Sequence, residues 1–138
     1  MIETLNIFAD GGARGNPGPA GIGFILIAVD GTELARDAEY IGVATNNQAE
    51  YRSLIVALAR ASEFFPQTVN VHMDSELVVR QMTGRYKIKN VELKLLAEEV
   101  IRSAKKFKAV HFMHVPREKN HQADSLVNEA IDKFLKKN

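Results

Sequence analysis

The sequence predicts an α/β fold, a mixed five-stranded sheet with helices covering both of its faces. The apolar patterns follow the order strand, strand, strand, helix, strand, helix, helix, strand, helix. Short turns join the first three strands, which predicts an antiparallel meander. Helical crossovers precede the fourth and fifth strands, so these two are predicted to run parallel to the first.

The first half of the chain begins with the three strands of this meander. Residues 5–9 predict the first strand, and Asp10 is expected to end it. Residues 11–19 are so rich in Gly and Pro that they predict a tight loop. The second and third strands are predicted over 20–29 and 33–41, with a turn between them.

A helix and the fourth strand come next. Thr45 and Gln48 have the spacing of a capping box, so a helix is predicted to begin after Thr45 and to stop before Pro66. Residues 68–73 alternate apolar and polar side chains, which is typical of a strand. Asp74 follows directly and is expected to close this strand.

Two helices, the fifth strand and a last helix complete the pattern. Ser75 and Asn90 are the predicted N-caps of the two helices. The helices are expected to reach Gly84 and about Lys106, and the strand and the amphipathic last helix to cover 108–115 and 120–137.

Length and composition restrict the class of protein. The chain has 138 residues, of which 46% are hydrophobic and 25% charged, so one folded domain over residues 1–138 is expected. It contains no Cys, which excludes disulfides, thiolate catalysis and Cys-ligated zinc. No export leader or membrane-spanning run is visible, so we expect a cytoplasmic protein without membrane contact.

Charge is balanced overall but unevenly distributed. The net charge is +1, with −4 over residues 1–101 and +5 over residues 102–138. This distribution permits a nucleic acid partner, but solvated helix surfaces are the more common explanation of charge clusters of this size. Residues 80–89 include four basic and no acidic side chains, namely Arg80, Arg85, Lys87 and Lys89.

Four acidic residues stand out by position. Asp10 and Asp74 follow strands, and Glu50 and Asp124 lie near the starts of helices. Ligand sites of such sheets lie beyond the carboxyl ends of the parallel strands, where these side chains could meet. Four clustered carboxylates require cations between them, and an all-oxygen ligand set selects Mg²⁺ or Mn²⁺. Taken singly, each residue could instead be a turn residue or a partner of a helix dipole.

Four motifs in this order resemble those of type 1 ribonuclease H, in a short form without the long basic protrusion. They cover 10–18 (DGGARGNPG), 45–50 (TNNQAE), 72–75 (HMDS) and 120–124 (NHQAD). The resemblance implies a ribonuclease H-like fold and a metal-dependent endonuclease. Such an enzyme cuts the RNA strand of an RNA–DNA hybrid and leaves a 5′-phosphate and a 3′-hydroxyl.

The resemblance also implies roles for the acidic residues. Asp10, Glu50, Asp74 and Asp124 would be the catalytic metal ligands for two Mg²⁺ or Mn²⁺ ions. Asp10 would lie between the ions, Asp124 with the one that activates water, and Glu50 and Asp74 on the leaving-group side. Two divalent ions can activate the attacking water and neutralise the leaving oxygen.

Further residues match substrate-contacting positions of the family. Asn16, Thr45, Asn46 and Asn47 would contact the hybrid, and their amides and hydroxyl could recognise 2′-hydroxyl groups. His114 lies ten residues before Asp124, the spacing of the family's loop His, and could relay a proton. The alternative for His114 is a partly buried structural side chain on the fifth strand.

The family pattern leaves alternatives open. Only residues 83–90 link the two middle helices, and Arg85, Lys87 and Lys89 could be what is left of a protrusion. Junction resolvases, integrases and exonucleases share this fold. A hybrid-binding module without turnover, or a structural domain, is also conceivable. The resemblance itself implies the hybrid as partner. It implies no particular protein partner, and we expect a monomer.

Overall fold

The computed structural model describes residues 2–137. Five strands are present, β1 (Thr4–Ala13), β2 (Gly18–Ala28), β3 (Glu33–Ala44), β4 (Thr68–Met73) and β5 (Ala109–His114). The helices are α1 (Asn46–Ser62), α2 (Glu76–Met82), α3 (Val91–Ala104) and α4 (His121–Lys137), with a short 3₁₀ helix, Arg117–Asn120, before α4. None of these helices is long and apolar enough to cross a bilayer, as judged over the described residues.

The strands form one mixed sheet in the order β3-β2-β1-β4-β5. Neighbours among β1, β2 and β3 are antiparallel, whereas β4 pairs with β1 and β5 in parallel. Helix α1 packs on β1 and β2 from one side with α3 against it, and α4 covers β2 and β3 from the other side. The predicted fold class is therefore confirmed.

The main core lies between the sheet and α1. Leu5 and Ile7 of β1 and Leu54 of α1 have no exposed surface. The alternation predicted for the fourth strand is confirmed, because Val69, Val71 and Met73 are buried in the same cluster while Asn70 and His72 are only partly covered. This core fixes β1 and β4 as rigid neighbours in the centre of the sheet.

The end of the first strand was predicted wrongly. Strand β1 does not stop at Asp10 but continues through Gly11 and Gly12 to Ala13, paired with β2 throughout. The predicted loop over 11–19 shrinks to residues 14–17. Gly11 serves the packing of the strand against α1, since a Cβ on Gly11 would lie 2.3 Å from the carbonyl group of Ala49.

Other boundaries differ less. Strand β3 runs to Ala44 rather than residue 41, because β2 begins at Gly18 and offers it a partner. The 3₁₀ helix delays the start of α4 from Asn120 to His121. The capping box is confirmed, as Thr45 Oγ1 accepts from the Gln48 amide at 3.1 Å and Gln48 Oε1 accepts from the Thr45 amide at 2.9 Å.

Replacing Gly11 by Ala is expected to destabilise the protein. The new Cβ would overlap backbone atoms of Ala49 and Glu50, which can move only if α1 shifts away from β1. Overpacking of this kind lowers the free energy of unfolding by about 2 kcal/mol or more. Urea denaturation of wild-type and Gly11→Ala protein measures the difference.

Gly12→Ala provides the matched control, since its Cβ would have its nearest neighbours at 3.7 and 3.8 Å. We expect this variant to unfold close to the wild-type midpoint. Equal stability of Gly11→Ala and Gly12→Ala would contradict the close approach of β1 and α1.

Candidate active site

Four acidic side chains line one cavity of about 440 Å³ at the carboxyl ends of the parallel strands, namely Asp10, Glu50, Asp74 and Asp124. The structure thus brings together all four carboxylates that the sequence singled out. They come from four separate elements, and no two of them are closer than 24 positions apart in the chain.

Each carboxylate belongs to a different part of the fold. Asp10 lies within β1 and is only 7% exposed. Glu50 is the fifth residue of α1, and Asp74 follows the last residue of β4. Asp124 lies in the first turn of α4. The cavity is therefore formed where β1 passes the end of β4 and the beginnings of α1 and α4.

Burial and repulsion act strongly on Asp10. Loss of solvent is the larger cause and repulsion by Asp74 the next, and together with Asp124 and Glu50 they raise the pKa of Asp10 from 3.8 to about 8. Asp10 also shares a hydrogen bond with the Asp124 side chain. In the absence of a cation, Asp10 is therefore largely protonated at neutral pH.

Glu50 responds to the same surroundings. Burial raises the pKa of Glu50 from 4.5 to about 7, and the charge of Asp74 adds to this to a smaller extent. A hydrogen bond from Ser75 opposes the increase. The cavity consequently takes up protons near neutral pH. A bound cation would remove the repulsion that favours those protons.

The donor set fits a hard divalent cation, because it consists of carboxylate oxygens without sulfur. Within residues 2–137, however, no group of three or more His, Asp or Glu side chains could hold a metal ion as it is arranged. The carboxylates share the cavity without closing around one point. Binding of an ion therefore requires the side chains to turn toward it.

Basic and amide side chains surround the carboxylates. Arg14 and Arg117 also line the cavity. Arg14 contacts Asp132 Oδ1 at 2.5 Å and Asn128 Oδ1 at 3.3 Å, both on α4. Sequence reasoning did not select either arginine, although Arg14 lies inside the first motif.

The predicted substrate-contacting residues lie beside the cavity, where β1 meets α1. Asn46 lines it, and its Oδ1 accepts from the Ala13 amide at 2.8 Å. Asn16 Oδ1 accepts from the Asn46 amide at 3.0 Å. Thr45 is the N-cap of α1, and Asn47 is partly covered next to it. Asn16 and Asn46 thus fix the β1–β2 turn against the start of α1.

His114 lies apart from this group. It is the last residue of β5, opposite Met73, and it is not among the residues that line the carboxylate cavity. Its side chain is exposed, so the alternative of a partly buried histidine is wrong. The strand end faces solvent here because α4 covers β2 and β3 rather than β5.

Asn120 is a residue of the site that sequence reasoning missed. It is 1% exposed, and its Nδ2 donates to the carbonyl of Ala9 at 2.9 Å and to Asp74 Oδ1 at 3.0 Å. The sequence placed it at the start of the last helix and made it the first residue of the fourth motif, but no role was assigned to it. Its two contacts are long-range, so only the folded chain reveals them.

Comparison with known proteins gives a consistent result. The chain matches the family model described as Reverse transcriptase-like over residues 8–130. The bifunctional protein of Mycobacterium tuberculosis is 46% identical over 127 residues, which are 91% of this chain and 35% of that protein. Ribonuclease HI of Halobacterium salinarum is 40% identical over 131 residues, covering 93% of this chain and 64% of that protein. The chain therefore spans about a third of the mycobacterial relative and just under two thirds of the halobacterial one.

Solved structures agree over nearly the whole chain. RNase H1 from Halobacterium salinarum superposes with a TM-score of 0.92 at 39% identity, over 94% of this chain and 98% of that one. LC11-RNase H1, solved in complex with an RNA/DNA hybrid, gives a TM-score of 0.91 at 48% identity, over 95% and 99% of the two chains.

Removing the Asp10 carboxylate is expected to stabilise the cation-free protein. Since the pKa of Asp10 is about 8 in the fold and 3.8 ordinarily, the folded state holds a proton that the unfolded state releases. The free energy of unfolding therefore falls as pH rises from about 4 to about 8. Asp10→Asn removes this pH-dependent loss. We expect its free energy of unfolding to exceed that of wild type by on the order of 1–3 kcal/mol at pH 7 in EDTA.

Urea denaturation between pH 4 and 8 measures this gain, which should shrink toward pH 4. Asp30→Asn is the control, because hydrogen bonds from Thr32 lower the pKa of exposed Asp30 and its removal brings no gain. An Asp10→Asn protein less stable than wild type at pH 7 would contradict the repulsion argument.

Proposed function

Because the chain belongs to the ribonuclease H family, as a short type 1 member, we propose that it hydrolyses the RNA strand of RNA–DNA hybrids. The observation that carries the proposal is the convergence of four carboxylates from four elements on one cavity. The same fold in LC11-RNase H1 is known in complex with an RNA/DNA hybrid, which supports the hybrid as substrate.

The proposal includes two divalent ions, Mg²⁺ or Mn²⁺, held by Asp10, Glu50, Asp74 and Asp124. When bound, such ions activate water for attack on the phosphodiester and neutralise the leaving oxygen, which gives a 5′-phosphate and a 3′-hydroxyl. The carboxylates themselves supply hard oxygen donors in a partly buried cavity, where electrostatic interactions are stronger than in water. Their mutual repulsion favours cations over an empty site.

Recognition of the RNA strand is assigned to the polar start of α1. Asn46 is fixed by its contacts to Ala13 and Asn16, so its position relative to the cavity is set before substrate arrives. Asn16, Thr45, Asn46 and Asn47 offer amide and hydroxyl groups that can distinguish a 2′-hydroxyl from a deoxyribose. A substrate strand over the cavity would pass this group.

The role of His114 and several properties of the whole protein stay predictions. A proton relay through His114 requires movement of the exposed imidazole or of the substrate toward it, since His114 does not line the cavity. A monomer, one domain over residues 1–138 and a cytoplasmic location stay predictions from the sequence.

We expect Asp10→Asn and Asp74→Asn to abolish cleavage while the protein stays folded. Charge stabilisation by bound metal contributes several kcal/mol to the transition state, so activity should fall at least about 100-fold. Labelled RNA–DNA hybrid is incubated with Mg²⁺ or Mn²⁺, beside duplex DNA, duplex RNA and an EDTA arm.

Asp37→Asn is the matched control, because Asp37 lies exposed on β3 outside the cavity. Cleavage of duplex DNA in preference to the hybrid, or near-wild-type turnover by a folded Asp10→Asn or Asp74→Asn protein, would refute the proposed function.

The link between α2 and α3 is expected to bind phosphates. Arg85, Lys87 and Lys89 are exposed there, whereas Arg80 is engaged by Glu76 at 2.7 Å and by the Tyr86 ring. Replacing Arg85, Lys87 and Lys89 by Ala should reduce the slope of log affinity against log salt by up to about 2.7, at about 0.9 for each lost phosphate contact. Fluorescence anisotropy with labelled hybrid in Ca²⁺ measures the slope.

A triple replacement of Lys105, Lys106 and Lys108 removes the same charge from the opposite end of the parallel strands. We expect this control to keep the wild-type slope. An equal change in both triple variants would show a general charge effect and no contact at the link.

A further inference from the structure

Asn120 lies at the point where two central strands separate. Strands β1 and β4 are paired up to Phe8 and His72, and their pairing ends there. The next carbonyl of β1, that of Ala9, accepts instead from Asn120 Nδ2 at 2.9 Å. A side chain from the end of the 3₁₀ helix before α4 thus takes the place of a strand partner.

The orientation of this amide is determined by its contacts. Ala9 offers a carbonyl and Asp74 a carboxylate oxygen, and both accept hydrogen bonds. The NH₂ group of Asn120 must therefore face them, because the reverse orientation would place oxygen against oxygen. Asn120 Oδ1 is left buried with no hydrogen-bond partner among residues 2–137.

An unpartnered acceptor in a buried position is a cost that a simple packing residue would avoid. An apolar side chain of similar volume could fill the same space. What such a side chain could not do is donate two hydrogen bonds to the segments that carry the carboxylates. The arrangement therefore favours a role in the site over a role in packing alone.

We propose that Asn120 is a positioning residue for the acidic cavity, an inference that rests on the proposed function. It holds one oxygen of Asp74 and leaves the other free for a cation. The same amide donates to the carbonyl of Ala9, the residue before Asp10, and so fixes the backbone there. The Asn120 side chain thus links the segments that carry Asp10 and Asp74, and Asp124 follows four residues later in the chain.

The test uses Asn120→Ala and Asn120→Leu in the full chain. The Leu variant keeps the buried volume and removes both donors, so it separates packing from positioning. Binding of Mn²⁺ alone is measured by isothermal titration calorimetry, and kcat and KM are measured on labelled hybrid. Loss of a partner that orients a metal ligand typically weakens metal binding 10- to 100-fold, so at least a 10-fold loss is expected. We expect kcat to fall as well, with KM for the hybrid within twofold of wild type.

Asn70→Ala is the matched control. Asn70 lies on β4, the strand that Asp74 follows. Its amide donates to Asn6 Oδ1 at 3.4 Å and contacts no carboxylate. Its loss should lower the urea midpoint modestly and leave Mn²⁺ affinity unchanged.

The outcomes are distinct. Wild-type Mn²⁺ affinity in a folded Asn120 variant, or failure of both variants to fold, would assign Asn120 to packing and overturn the positioning role. If wild type binds and cleaves while the variants do so equally well, only this inference fails. If wild type neither binds Mn²⁺ nor cleaves the hybrid, the proposed function fails and the positioning role fails with it.

Discussion

The close approach of β1 and α1 is the constraint on which the acidic cavity depends. Gly11 faces the carbonyl of Ala49 at a separation that no side chain could enter. Asp10 and Glu50 are the neighbours of these two residues, so the contact that joins the backbones also brings the carboxylates together. The capping box at Thr45 fixes where α1 begins and hence where Glu50 lies along it. A strand with an ordinary residue at position 11 would hold α1, and Glu50 with it, farther away.

The consequence of this approach is an electrostatic cost within the fold. Burial and repulsion raise the pKa of Asp10 to about 8 and that of Glu50 to about 7. Clustered, partly buried carboxylates destabilise the fold while they are charged. Protons or divalent cations that neutralise them therefore stabilise it. The buried amide of Asn120 and the hydroxyl of Ser75 act in the same direction by donating to Asp74 and Glu50. Stability and cation binding are thus coupled through one cavity.

Most of the architecture followed from local pattern. The order of elements, the capping box and the direction of each strand were predicted and confirmed, because period-2 and period-3.6 patterns and cap residues act over a few neighbours. The first strand was the main error. Gly11 and Gly12 resemble loop residues when read locally, but they continue the strand because they pair with β2, and Gly11 lets α1 pack where a side chain would otherwise be. The burial expected for His114 failed for a related reason, since α4 covers β2 and β3 and leaves the end of β5 exposed.

For the site itself, the residue types and their order along the chain were sufficient to select the four carboxylates and the polar start of α1. Sequence alone could also say that an all-oxygen set would suit a hard cation. Contacts between distant segments were needed for everything else. The raised pKa values of Asp10 and Glu50, the pairing of Arg14 with Asp132 and the two hydrogen bonds of Asn120 all join residues far apart in the chain. Burial and repulsion depend on which surfaces meet in three dimensions, and no local pattern records that.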